Sequence, residues 1–445
     1  MKHLTLQEIG KIIRKVRKER GLRLEDLADE NISPATVSNI ERGIAHVSPG
    51  KISYLLKKLS LSEHQLSDIL LQEQKDLHQL KLNFLMVSTL CDLGYEDEAL
   101  TKLNEIQVKE NPPFIANIYY YKGCCLLNKK KWKQAERAFL QALRYTKQNK
   151  QVLDEPNLEA ACYLHLGCSK YQQKNYEQAL AYLNHGLKAF QENDQKHHYL
   201  RNQLYLHKIE CLKKLQRITE GNQLLKEIWS SIQYASDIQT VINFYVLRSE
   251  FAQKAGLYDE AIDYATDGIK IASRNRQLNQ LLNLWTLLGN LYMMCGQWSL
   301  SEACFQMVIH KKNQLKSNTK RAFAYLQLGI LYMKQKQYQK AYKLLQTAIQ
   351  YSDSAQYSKE FSLCLLVIGD LCMKLGKPDE ALYYFQKGQK ITEKIADETR
   401  ELPFWLRMAQ YWEGKDHEKF QNCIENIYRL QKKQFISISE YDKFL

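Results

Sequence analysis

Proline and glycine are scarce, 7 and 18 among 445 residues. So few chain breakers leave little punctuation for strands and tight turns, and helix is the expected state of most of the chain. No two of the 11 cysteines form a CxxC pair, and Cys91, Cys168 and Cys372 sit at helix-like apolar positions. They read as small reduced hydrophobes rather than as a disulfide framework. The adjacent Cys124 and Cys125 would point about 100° apart on one helix, so no metal site and no cofactor are expected. Long apolar runs are missing too. The richest, FSLCLLVIG from residue 361, stops at Asp370, and the opening MKHLTLQEIG holds no apolar core for a signal peptide. These absences predict a cytoplasmic protein without membrane contact. With no phosphate-cradling glycine loop, zinc spacing or nucleophile turn, an enzyme is the least supported class.

What the chain does have is length, charge and repetition. At 445 residues it is several times a usual domain, so several domains or a repeat array are expected. Its net charge of +14 favours anionic partners, and the charge is concentrated near the front. Lys11, Arg14, Lys15, Arg17, Lys18, Arg20 and Arg23 stand there against Glu19 alone. In the same stretch Ile9, Ile12, Ile13 and Val16 make one helical stripe that ends at Gly21. A second short helix is expected over LRLEDLADE, with Leu24, Leu27 and Ala28 inward. A third follows Ser33 as N-cap and Pro34 at the first helical position, and a fourth follows Ser48 and Pro49.

Four or five short helices with a tight connection between the second and third make helix-turn-helix packing economical. If the third helix enters a major groove, Ser33, Ala35, Thr36, Asn39 and Arg42 face base edges and phosphates, with Val37 and Ile40 inward. Asn can bridge adenine, and Thr and Ala methyls can touch the thymine methyl. Lys15 and Lys18 are candidate phosphate contacts. The pattern Leu27-Ala28, Ile32-Ser33, Val37-Ser38, Ile40-Glu41-Arg42-Gly43 and Pro49 resembles the helix-turn-helix domain of the Cro and phage-repressor superfamily. That resemblance implies a pair between Arg17 and Glu41. Where the family usually has a glutamine this chain has Leu24, with Arg23 beside it as the substitute phosphate contact.

From about residue 80 one phrase returns, marked by Ala99, Ala135, Ala179, Gly221, Ala261, Ser301, Ala341 and Ala381. The spacings are 36, 44 and 42, then 40 four times. LWTLLGNLY before WSLSEACF, and LLVIGDLC before PDEALYYFQKG, each resemble a tetratricopeptide helix pair. Gly123, Gly167, Gly289, Gly329 and Gly369 mark first helices, and Trp132, Tyr176, Tyr258, Trp298 and Tyr338 precede second ones. The copy at Gly221 is weak, and a degenerate ninth copy over FWLRMAQYWEGKDHEKFQNCIENI is expected as a cap. Stacked pairs imply a right-handed superhelix whose inner wall is lined by first helices. With the small residue as position 20, position 2 carries Asn117, Gln203, Asn243 and Asn283. Position 9 carries Glu210, Glu250, Asn290 and Asp370. Such a ladder suits the N–H and C=O groups of an extended peptide, with Tyr120 and Tyr171 as apolar pockets.

A Cro-like domain followed by tetratricopeptide-like copies resembles the RRNPP group of peptide-pheromone-responsive regulators of Gram-positive bacteria, the PlcR-like and NprR-like proteins. The expected fold is all-α, with a helix-turn-helix domain over 1–62, a helical linker over 63–80 and the array over 81–445. What the resemblance implies is a homodimeric quorum-sensing regulator that binds a double-stranded operator and a short signalling peptide. Its two DNA-binding domains would be re-spaced when the peptide binds. A second reading, from another class, is an adaptor that sequesters a signalling protein such as a response regulator.

Overall fold

The computed structural model describes residues 5–44, 47–106, 112–148, 157–191, 198–232, 237–310, 318–352, 359–395 and 398–439. Met1 to Leu4 of the opening stretch therefore lie outside the described residues. Among those described are 21 α-helices and one short 3-10 turn, with no β-strand. The chain divides into two compact units, Met1–Lys174 with Lys188–Gln191, and Asn175–Leu187 with Glu192–Leu445.

The first unit begins with α1 (Leu6–Glu19), α2 (Pro34–Glu41), α3 (Pro49–Lys58) and α4 (Glu63–Asp92). A reciprocal capping box starts α1: Glu8 N–H donates to Thr5 Oγ1 at 3.3 Å, and Thr5 N–H donates to Glu8 Oε2 at 2.8 Å. Its Ile9, Ile12, Ile13 and Val16 stripe is buried with Val37 and Ile40 of α2 and with Ile52, Leu55 and Leu56 of α3. Leu66 of α4 joins the same core, and Ile69 and Leu70 pack against it. α1 crosses α2 at Gly10, where a Cβ would lie 2.3 Å from the carbonyl oxygen of Ile40. Only a residue without a side chain permits that approach.

One expectation fails here. The second helix is only a three-residue 3-10 turn, Glu25–Leu27, and Leu24 and Ala28 are half-buried while Leu27 alone is fully inside. Acidic side chains compete for the local backbone donors. Asp26 Oδ2 accepts from Arg23 N–H at 2.7 Å, and Asp29 Oδ1 accepts from Asn31 and Ile32 N–H at 2.9 and 3.1 Å. Asp29 is braced in turn from α3, by Lys58 Nζ at 2.8 Å and Tyr54 Oη at 2.7 Å. The Lys58 ammonium, then the Tyr54 hydroxyl, hold its carboxyl well below the usual carboxylate range.

The repeat array starts with the end of α4 and α5 (Glu96–Glu105), and continues with α6 (Pro112–Asn128) and α7 (Trp132–Gln148), then α8 (Leu158–Gln172) and α9 (Tyr176–Ala189). Most of α9 belongs to the second unit, whose pairs are α10 (His198–Lys214) with α11 (Ile218–Ile232), α12 (Ile238–Lys254) with α13 (Tyr258–Arg274), and α14 (Leu278–Met294) with α15 (Trp298–His310). There follow α16 (Asn318–Lys334) with α17 (Tyr338–Ser352), α18 (Lys359–Lys374) with α19 (Pro378–Lys394), and α20 (Glu398–Trp412) with α21 (His417–Ser439). Every small residue read as the marker of a second helix is buried. A Cβ on Gly289 would meet the Phe305 ring at 2.6 Å, so the glycine lets α14 and α15 close on each other. The weak copy is a full helix pair, in which Gly221 lies under the Phe251 ring. The degenerate last copy also forms two helices, packed through Phe404, Met408, Cys423 and Ile427.

Candidate functional site

At the front of the chain α2 shows its outward face. Ser33 caps the helix, its Oγ accepting from Thr36 N–H at 3.2 Å and lying 2.9 Å from Thr36 Oγ1. Ser33, Ala35 and Arg42 are exposed, while Thr36 and Asn39 are half-buried with their polar groups toward the same face. Arg42 Nη2 donates to Asn39 Oδ1 at 2.8 Å, which leaves the Asn39 amide protons to point outward.

Beneath this face the helices are held in register by the pair the family resemblance implied. Arg17 grips Glu41 bidentately, Nε to Oε1 at 2.5 Å and Nη2 to Oε2 at 3.0 Å, and its Nη1 donates to the Leu22 carbonyl at 2.8 Å. Both side chains are nearly covered, 11% and 6% exposed. The hydrogen bond to Glu41 is the main reason that the Arg17 pKa is raised.

The basic residues of α1 divide by role. Arg20 Nη1 donates to the Leu59 carbonyl at 2.8 Å, a structural bond. Lys15, expected on phosphate, is bound to Glu73 of α4 at 2.6 Å, and that bond raises its pKa. Lys18 and Arg23 are exposed. Lys15 therefore already shares its ammonium with a carboxylate, whereas Lys18 is exposed.

The candidate peptide positions fall into three groups. Asn117, Tyr120 and Tyr171 belong to the first unit. Asn117 is buried, Tyr171 is half-buried, and Tyr120 Oη lies 3.1 Å from His165 Nε2, with its ring against Phe139 and His165.

In the second unit successive first helices lie side by side, and half of the ladder is consumed in bonds along that layer. Gln203 Nε2 donates to Thr240 Oγ1 at 2.7 Å, and Glu250 accepts from Lys213 at 2.6 Å. Asp370 binds Arg407 through Nε at 2.7 Å and Nη2 at 3.3 Å, which raises the Arg407 pKa. Glu210 lies 3.0 Å from Nδ1 of His207 on its own helix. These four were expected to face a guest but bind the array itself.

The third group is different. Asn243 is half-buried and Asn283 exposed, with no side-chain partner among the described residues. Asn290 Oδ1 is buried and accepts no hydrogen bond from the described residues. An unsatisfied buried acceptor costs about 1–3 kcal/mol, so it is a natural place for an incoming N–H.

Sequence reading missed a cleft of about 240 Å³ lined by Lys213, Lys214, Gln216, Glu250, Gln253 and Lys254. It sits at the C-terminal ends of α10 and α12, with three lysines against one glutamate. In the repeat numbering Lys213 and Gln253 are position 12, and Lys214 and Lys254 position 13, one turn beyond the position read as the ladder's end. The same register carried one turn further along the helices would have found them.

Two kinds of family model match the chain. A helix-turn-helix family model matches residues 13–66, and tetratricopeptide repeat models match 160–193 and 320–394. The apo form of the quorum sensor NprR from B. thuringiensis superposes with a TM-score of 0.59 at 13% identity, over 85% of this chain and 99% of that one. The apo form of RapI gives 0.51 at 13% identity, over 63% and 98%. In the curated proteins, human cilia- and flagella-associated protein 70 is 25% identical over 136 residues, which is 31% of this chain and only 10% of that protein's length. The class is thus a helix-turn-helix protein with a tetratricopeptide array. Its fold is similar to that of the NprR structure, and the helix-turn-helix match precedes the tetratricopeptide matches in the chain. Both matched families are binding modules rather than enzymes, and no helix among the described residues is long and apolar enough to cross a membrane.

Proposed function

We propose that this protein is a transcriptional regulator that reads duplex DNA with α2 and takes a short peptide on the first-helix layer of its array. The N-terminal module would comprise about residues 1–62, joined through 63–80 to the sensing array of 81–445. The observation that carries the reading is the coincidence of two polar faces: an outward Ser33, Thr36 and Asn39 surface, with Lys18 exposed on α1, and an array layer in which Asn290 keeps a buried acceptor without a donor among the described residues. A homodimer would present two copies of α2 to two half-sites, and the peptide acts as a switch only if it binds the two arrangements unequally.

The test for DNA is operator selection from a random duplex pool. Replacing Thr36 and Asn39 with Ala is expected to remove about 1–3 kcal/mol of sequence preference per base contact. Lys18→Ala should weaken all duplexes alike and lower the salt slope by about 0.9. Failure to enrich any sequence would reject operator reading and leave the protein-binding adaptor.

The test for the peptide uses whatever short peptide co-purifies from the native host, identified by mass spectrometry. Asn243→Ala and Asn290→Ala should each weaken calorimetric binding by about 0.5–1.5 kcal/mol, a net amide hydrogen bond. Asp370→Asn should act instead on the stability of the α18–α20 contact. Equal affinity in wild type and both Asn variants would remove this layer from the peptide site.

A further inference from the structure

Two sulfurs distant in the sequence meet inside the first unit. Cys91 lies in the last turn of α4 and Cys125 on α6, 34 residues later, with Sγ atoms 2.7 Å apart and both side chains buried. That is closer than sulfurs in mere van der Waals contact. The surrounding core is apolar, formed by Phe84, Val87, Ala99 and Leu103. No group of three metal-ligating side chains exists among the described residues, so the contact points to sulfur chemistry rather than to a metal. Asn128 Nδ2 also donates to the Cys91 carbonyl at 3.1 Å, fixing the end of α4 against α6.

We propose that Cys91 and Cys125 are a redox modification site, forming a reversible disulfide that staples the linker helix α4 to α6. The two thiols are not equivalent. The hydrogen bond from Cys125 lowers the Cys91 pKa, while that bond and burial push Cys125 up. Cys91, 6% exposed where Cys125 is fully covered, is the sulfur an oxidant reaches first and the attacking one. With a peroxide as oxidant, the Cys91 thiolate attacks one peroxide oxygen, the O–O bond breaks, and hydroxide leaves to be protonated to water. Cys125 sulfur then attacks the sulfenic sulfur, forming the S–S bond and releasing a second water. Two thiols are oxidised and one peroxide is reduced to two waters. Cys124, next in the chain, has its thiol pushed up by burial and does not contribute the attacking thiolate.

The staple matters because α4 carries the N-terminal module: Leu66 enters that module's core, while Phe84, Val87 and Cys91 enter the first repeat's core. Neither reading of the array is needed for the chemistry. The test treats the reduced full-length protein with hydrogen peroxide, then digests it without reductant for mass spectrometry. The expected product is a Cys91–Cys125 crosslinked peptide about 2 Da lighter than the two free peptides together, reversed by dithiothreitol and lost in Cys91→Ser and in Cys125→Ser. Oxidation of the exposed Cys295 with Cys91 and Cys125 left as free thiols would overturn the proposal, and so would a crosslink from Cys91 to Cys124.

Discussion

Glu41→Ala is expected to destabilise the N-terminal module by about 3–5 kcal/mol, because it strands the Arg17 guanidinium in a site that is only 11% exposed. The two Arg17–Glu41 hydrogen bonds are lost together, and the bond from Arg17 Nη1 to the Leu22 carbonyl is left to hold the charge alone. An apolar double replacement, Arg17→Met with Glu41→Leu, removes both charges and should restore most of the loss. Hydrogen exchange on the α1 and α2 amides is the measurement, since it reads opening of this module residue by residue. A single variant that leaves exchange unchanged, or a double variant as damaged as the single one, would show that the pair does not position α2. The consequence for DNA is indirect. Glu41 ends α2 and Arg17 belongs to the basic helix α1, so under the proposed function the pair would set the angle at which the candidate base and phosphate contacts arrive together.

Gly10→Val should cost about 3 kcal/mol in the same module, against the helix-propensity gain that replacing a mid-helix glycine ordinarily brings. The added Cβ would sit 2.3 Å from the Ile40 carbonyl oxygen and 2.9 Å from that of Glu41, and both are backbone atoms that cannot swing aside. Gly50→Ala is the control. Its Cβ meets nothing within 4 Å, so it should stabilise by about 0.4–1 kcal/mol. Urea melts of the three proteins decide the matter: if both replacements shift stability the same way, the close crossing of α1 and α2 is not what Gly10 provides.

How far the sequence foretold these features varies by element. The array was legible because a buried small residue every 40 positions is a packing requirement repeated many times over, and even the atypical Gly221 copy kept it. The Arg17–Glu41 pair was legible only through family resemblance, since nothing in spacing alone joins residues 24 apart. The short turn at Glu25–Leu27 was not legible, because its leucine pattern suits a helix and the outcome was decided by Asp26 and Asp29 capturing backbone donors. Gly10 looked neutral in sequence, and its meaning depends on the carbonyl that approaches it.

The peptide ladder was half legible. Its positions were found by register, but register does not say which members are already bonded. Gln203 to Thr240, Lys213 to Glu250 and Asp370 to Arg407 are all 37 residues apart, one repeat less about one helical turn. That offset alone does not separate the occupied rungs, since Asn243, Asn283 and Asn290 also meet polar residues at it, Gln280, Lys320 and Gln327, without a hydrogen bond to them among the described residues.

The thirty residues of α4 make a rod about 45 Å long, anchored in a different core at each end and mostly wetted between Leu71 and Gln79. Apart from the bond of Glu73 to Lys15, its middle is held mainly by its own helix hydrogen bonds. Such a rod behaves as a torsion bar: a rotation imposed at its far end emerges at the near end undiminished while every turn stays wound, and vanishes once one turn melts. Under the proposed function, the coupling between array and N-terminal module would pass through this span.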